Sequence, residues 1–200
     1  MAESSSKRDG DPQAAQMPEP AERMPIEFFQ GEHPCVLAPE RLLEDCELRT
    51  QRRSGPGGQH RNKTSSGVFL LHRPSETVAE ATERRSQAQN RDVALERLRF
   101  TLAVEVRTKS IFDSAPSELE ASFRNRYRGN VKRMNQHNVD KPALLAMLLN
   151  DLHAVGGQPS LVARQWKCST SAIVTLVQSV PTAFALVNRI RNHHQRLPLR

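Results

Sequence analysis

Between two strand-like apolar patterns this chain of 200 residues carries fifteen residues, 52–66 (RRSGPGGQHRNKTSS), in which no side chain except that of Pro56 is apolar. Such a segment cannot enter a core. Whatever its flanks form, it must leave them as a loop, and that splits the chain's pattern at this point. Gly55-Pro56 sets a turn. Gly57 and Gly58 can take positive φ without steric cost, and with no side chains they let another molecule approach the backbone. The N–H groups of Gly57, Gly58 and Gln59 are then free to donate outward. The cations Arg52, Arg53, Arg61 and Lys63, with His60 and Asn62 among them, suit a polyanionic partner.

The flanks read as strands. Residues 46–52 precede the loop, residues 67–73 (GVFLLHR) follow it, 73–76 make a turn, and 77–82 (TVAEAT) alternate cleanly. Ser86 and Gln89 have capping-box spacing. They open a helix through about Val106, with Leu95, Leu98, Leu102 and Val106 along one stripe and Val93, Phe100 and Val104 widening it. The pattern predicts an α+β fold: a small antiparallel sheet backed by one long helix, with the glycine loop projecting from between the first two strands. A basic, all-helical C-terminal module follows.

The loop and its neighbours carry a resemblance. Gly57-Gly58-Gln59-His60 followed by Asn62-Lys63-Thr64 is similar to the catalytic loop of the class I peptide chain release factors and the shorter ribosome-rescue hydrolases related to them. Arg61 departs from the small apolar residue usual there. Arg85-Ser86-Gln87 with Asn90 matches a second family motif at the start of the long helix, and the two motifs stand in the right order. The direct turn at 73–76 resembles the release factors more than the bacterial rescue hydrolase that inserts a helix there. The resemblance covers roughly residues 47–107 and implies a GGQ, peptidyl-tRNA hydrolase domain. A codon-reading domain is expected to be missing, since about forty-five residues before the sheet cannot hold one.

The resemblance also implies the chemistry. The substrate would be P-site peptidyl-tRNA, its ester held by rRNA in the large-subunit peptidyl-transferase centre of the ribosome, with Gly57, Gly58 and Gln59 as the catalytic residues. Gln59 would act mainly through its backbone N–H as an oxyanion-type donor, and its side chain would select water. Arg52, Arg53, His60, Arg61, Asn62 and Lys63 would contact RNA, Asn62 fixing the loop base. The family's glutamine is a target of side-chain methylation, which implies a glutamine methyltransferase as a candidate partner at Gln59. From the residues alone, Ser54, Ser65 and Ser66 near His60 lack the orienting acid and dry cleft of a serine hydrolase. Neither cofactor nor metal is expected.

Charge is placed unevenly. Residues 1–44 hold 4 Lys and Arg against 9 acids, 45–122 hold 13 against 11, and 123–200 hold 12 against 2. A pI near 9.9 therefore reflects the C-terminal part, where Arg124, Arg126, Arg128, Lys132 and Arg133 form a basic segment expected to bind RNA. Domains are expected at 1–25 (disordered, rich in Ser, Pro and charge), 26–107 (the release-factor-like catalytic domain), 108–122 (linker) and 123–200 (basic helical domain). Ile26, Phe28 and Phe29 are expected to pack on the catalytic domain, and Pro39 to open a short helix. Further helices are expected over 119–134, 142–155, 159–167, through 178 and from 181 to about 194. Ala163, Trp166, Cys168, Ile173 and Leu176 fall where a helix-turn-helix places its internal contacts, with Lys167 where a turn glycine is common. A nucleic-acid-reading module and a plain helical bundle both fit.

A second Gly-Gly-Gln, 156–158, lacks the flanking motif and lies between two helical patterns, where a helix cap and restart is the better reading. Three scattered cysteines suit a reduced cytoplasm, and no run of residues reaches membrane-spanning length. Two functions follow: codon-independent peptidyl-tRNA hydrolysis in ribosome rescue, or an RNA- or DNA-binding regulator whose GGQ loop does not catalyse.

Overall fold

The computed structural model describes residues 16–51, 66–131, 134 and 138–200. Its sheet has three antiparallel strands in the order β1 (Cys46–Gln51), β2 (Gly67–His72), β3 (Thr77–Ala81). Strands β1 and β2 run in register from Cys46 opposite His72 to Gln51 opposite Gly67. Strands β2 and β3 pair from Val68 opposite Ala81 to His72 opposite Thr77. Val68 and Leu70 on β2 and Ala79 and Ala81 on β3 face inward and are buried, while Val78 and Glu80 face out. This is the period-2 alternation that a sheet covered on one side requires.

Helix α1 (Pro39–Glu44) feeds β1, and helix α2 (Gln87–Glu105) lies across β2 and β3. Ser86 caps α2 by accepting from the Gln89 N–H at 3.4 Å. The buried line of α2 is Asn90, Ala94, Leu98 and Leu102, joined by Arg99 and Ala103. Leu95, Val93, Phe100 and Val104 are only half-buried. The expected stripe is thus rotated, because α2 packs on the sheet and on helix α4 at once. Alanines 79, 81 and 94 leave room for the helix to approach the sheet closely.

The remaining helices are α3 (Glu118–Tyr127), α4 (Lys141–Ala154), α5 (Pro159–Gln165), α6 (Thr170–Gln178) and α7 (Pro181–His193). All fourteen residues of α4 are buried, since α2, α3, α5, α6, α7 and the 3-10 turn Pro34–Val36 surround it. A helix apolar all round can exist only in such a position. Through the contact of α4 with α2, the sheet side and the helical side share one hydrophobic core.

Several polar side chains inside that core are held by specific partners. Asp151 on α4 accepts from Arg124 Nη1 at 2.7 Å and Nη2 at 3.0 Å, from Ser110 Oγ at 2.7 Å and from Trp166 Nε1 at 2.8 Å. Asn150 exchanges bonds with Thr108. Residues 108–117, expected as part of a linker, are therefore fastened to α4 at Thr108 and Ser110. His33 donates from Nε2 to the Val106 carbonyl and accepts from the Cys35 N–H at Nδ1. Burial, then the Arg107 charge, lower its pKa to about 3, so it stays neutral.

Residues 1–15 lie outside the described residues, but 16–25 differ from the expectation of disorder. Arg23 is buried and pairs with Asp113 at 2.7 Å. The carbonyls of Gln16, Glu22 and Met24 accept from Gln158, His193 and His153. Apolar periodicity is blind to such a strap, because side-chain donors from far along the chain hold it.

The second Gly-Gly-Gln is a helix cap. Gly156 and Gly157 close α4 with φ of +61° and +72°, Gly157 donating to the Leu152 carbonyl at 2.7 Å. Gln158 is buried and precedes Pro159, the first residue of α5.

Asp151→Ala should destabilise the fold by about 3–5 kcal/mol, since it strands a buried guanidinium along with two neutral donors. Urea unfolding of wild type and variant measures it.

Candidate catalytic loop and its base

The loop of residues 52–65 lies outside the described residues, and with it Arg52, Arg53, Gly57, Gly58, Gln59, His60, Arg61, Asn62 and Lys63. What the structure gives is the base from which the loop leaves. Gln51 and Gly67 are the last paired residues of β1 and β2, so the insertion between them runs from 52 to 66. Residue 59 is its midpoint.

The base is held closely. A Cβ on Gly67 would lie 3.1 Å from the Gln51 carbonyl oxygen and 3.2 Å from Thr82 Cγ2, so glycine is what lets the strands meet there. Directly after the loop, the Ser66 carbonyl accepts from Asn90 Nδ2 at 2.5 Å. The same amide nitrogen donates to the Arg84 carbonyl at 3.0 Å, and Asn90 Oδ1 accepts from the Arg84 N–H at 2.9 Å. Asn90 is completely buried. One side chain thus ties the loop exit, the β3–α2 connection and the first turn of α2 together.

This gives physical content to the second motif. Ser86 caps the helix, and Asn90, one turn further on, clamps the loop. Arg84, Arg85 and Arg91 beside the clamp are exposed and form no ion pair among the described residues. Sequence reasoning did not place these three among the RNA-facing cations. The signal was available, since Arg85 belongs to the motif itself.

The basic segment after the linker divides. Arg124, expected to face RNA, is buried: it pairs with Asp151 and stacks over Trp166, 4.9 Å from the ring centroid. Arg126 is exposed but bonds Asp140 at 2.9 Å, and Tyr127 donates to the same carboxylate oxygen. Arg128, the C-cap of α3, is exposed and makes no ion pair among the described residues. Lys132 and Arg133 lie outside the described residues. The cysteines offer no nucleophile, because burial pushes the Cys35 thiol up to about 12 and the Cys46 thiol to about 11, which leaves both protonated near neutrality.

The RF-1 domain family matches residues 42–141, half of the chain. The chain belongs to that family. Among curated proteins it is 30% identical over 105 residues to "Peptide chain release factor 1-like, mitochondrial" of Rattus norvegicus, a match covering 49% of this chain and 28% of that protein. It is 52% identical over 58 residues to "Peptide chain release factor 2" of Acidovorax sp. (strain JS42), covering 29% of this chain and 16% of the relative. It is 48% identical over 59 residues to "Peptide chain release factor 1" of Caldicellulosiruptor saccharolyticus, covering 30% and 17%. The chain thus spans less than a third of the length of these relatives. The matched RF-1 region contains the sheet, the loop, α2 and the Asn90 clamp.

Asn90→Ala removes three bonds at once and leaves partly buried backbone groups of Ser66 and Arg84 without their partner. It should cost about 1–3 kcal/mol for the stranded groups, read as a shift of the urea midpoint at constant slope.

Proposed function

We propose that this chain is a ribosome-dependent peptidyl-tRNA hydrolase that acts without reading a codon, in ribosome rescue. The observation that carries the reading is the position of Gly57-Gly58-Gln59-His60 and Asn62-Lys63-Thr64 at the middle of an insertion between two paired strands, its exit clamped by the second family motif through Asn90. That arrangement suits a device that carries a short backbone segment far from its sheet into a site built by another molecule.

The ester bond to be cut, and the rRNA that holds it, belong to the ribosome. The chain's own contribution is a set of donors. The Gln59 N–H stabilises charge developing on the tetrahedral intermediate or on the leaving ribose oxygen, and the Gln59 side chain narrows the site to water. Gly57 and Gly58 give the backbone conformations that a Cβ would forbid. Arg52, Arg53, Arg61 and Lys63, with Arg84, Arg85 and Arg91 at the base, neutralise phosphates of rRNA or tRNA; Asn62 and His60 steady the loop. The site for a glutamine methyltransferase would be the Gln59 side chain. The action is cytoplasmic, where the ribosomes are; among the described residues no helix is long and apolar enough to cross a membrane.

The described residues on either side of the catalytic unit are taken up by the fold itself. Those before the sheet are bonded to α2 and the connection after it, through Arg99–Cys35, His33–Val106 and Arg23–Asp113, and to α4 through His153–Met24. Those after it form a helical layer on the same core.

Gly58→Ala, whose Cβ would displace the Gln59 N–H, should lower peptide release by about 10²–10³, the worth of one oxyanion-type donor, while ribosome binding stays nearly unchanged; Gln59→Ala keeps that N–H and should lower release less, through loss of the side chain that selects water. Release by Gly58→Ala at the wild-type rate would remove the catalytic assignment and leave a regulator with a silent loop. Release should also proceed equally with a stop codon, a sense codon or no codon in the A site. A strong preference for one stop codon would exclude rescue.

A further inference from the structure

We infer that the junction of α3 with the α5–α6 turn is a docking surface for the phosphate backbone of double-helical RNA. Its centre is the pairing of two helix ends, where the Gly129 N–H donates to the Trp166 carbonyl at 2.9 Å. Arg128 precedes Gly129 and Lys167 follows Trp166, so the two cations are brought together from separate helices. Arg164 stands one turn earlier on α5. All three are exposed and form no ion pair among the described residues. Beside them lies a cleft of about 100 Å³ whose lining includes Asn125, Arg128, Gln165 and Trp166, and no carboxylate.

Cations at helix C-termini are favoured by the helix dipole, so one of them alone would carry no argument. Three observations go further. Lys167 has φ of +49°, in the left-handed region where glycine is at ease, yet the chain keeps a long cationic side chain at that turn. A non-glycine held there is a reason to look for use of its side chain. Next, from residue 152 to the end of the chain there is no Asp or Glu at all, against six Lys and Arg. Helices α5, α6 and α7 therefore carry cations and no acidic side chain of their own. Finally, α5 and α6 pack as a helix-turn-helix would, with Ala163, Trp166, Ile173 and Leu176 buried between them and the rest of the core.

The side chains then choose the nucleic acid. Bidentate reading of DNA bases, the kind that discriminates most, takes Arg, Lys, Asn or Gln near the N-terminal end of a helix in the major groove. The exposed residues at that end of α6 are Thr170 and Ser171, followed by Thr175, and Gln178 comes only at the far end. The surface holds phosphates and does not read bases. Recognition by shape and backbone is how proteins bind A-form RNA duplexes. The inference shares with the proposed function only the expectation that RNA is the partner, so the test uses neither ribosomes nor peptidyl-tRNA.

The full chain is titrated against a labelled RNA duplex of about 16 base pairs and a DNA duplex of the same sequence, by fluorescence anisotropy at several salt concentrations. The variant Arg128→Gln, Arg164→Gln, Lys167→Asn removes three charges, with Asn chosen because it tolerates positive φ. It should bind the RNA duplex about tenfold or more weakly, with a log–log salt slope shallower by about 2–3. A variant with Arg41, Arg97 and Arg189 each changed to Gln should lose far less. Equal losses in the two variants, or no loss in the first, would overturn the inference, and DNA bound as tightly as RNA would overturn the choice of partner. Thermal unfolding by circular dichroism checks the fold. Should the triple variant not fold, Arg164→Gln at its exposed helical position is expected to weaken RNA binding about threefold, and unchanged binding would be equally decisive.

Discussion

The carboxylate of Asp151 is the interaction on which the helical side depends. A fully buried carboxylate is costly to desolvate and is tolerated only when its lone pairs are taken up. Here four hydrogen bonds reach it from three places: Arg124 of α3 twice, Ser110 in the connection after α2, and the indole of Trp166 at the end of α5. The pair does not add much net stability in itself, but it fixes which faces of these segments meet α4. Since α4 also packs on α2, the geometry set at Asp151 reaches the sheet. Ser110 and Thr108 transmit it along the chain, because both lie just after α2 and both are bonded to α4.

Asn90 does on the sheet side what Asp151 does among the helices. Each is a buried polar side chain that satisfies more than one segment, and each sits on a helix of the shared core. The difference lies in what they hold. Asp151 joins helices to one another, whereas Asn90 joins the rigid part of the molecule to the point where the chain returns from residues 52–65. On the proposed reading, a loop that presents backbone donors to another molecule would benefit from a fixed origin, since a small displacement at a reacting centre is costly in rate.

Much of the fold was legible in the sequence. The alternation of residues 77–82, the capping pair Ser86 and Gln89, and the prolines that open α1, α5 and α7 gave elements within a residue or two of those observed. These are local signals with local causes. The polar residues inside apolar helices were harder. Asn150, Asp151 and His153 interrupt an otherwise apolar helix, and a carboxylate there demands a cation, which could have been sought in the basic run 124–128. Arg124 instead reads as one more surface charge, because its neighbours Arg126 and Arg128 are exposed. At the site, the motif positions were legible and their mechanical meaning was not: the bond from Asn90 to Ser66 joins residues far apart in sequence, which no local pattern displays.

The same distinction changes what the chain's positive charge means. Arg23, Arg99, Arg107 and Arg124 are buried and engaged within the fold, on Asp113, Asp151 or backbone carbonyls. Arg107 has no carboxylate against it, and burial lowers its pKa to about 9. A count of Lys and Arg therefore overstates the cationic surface of the core region. Among the exposed cations of the described residues, six stand in two groups, the loop base with Arg84, Arg85 and Arg91, and the α3–α5 junction with Arg128, Arg164 and Lys167, while others, Lys109, Arg189 and Arg200 among them, lie elsewhere. On the proposed reading, two cationic groups on one core would hold an extended polyanion in a set orientation, which a single group cannot.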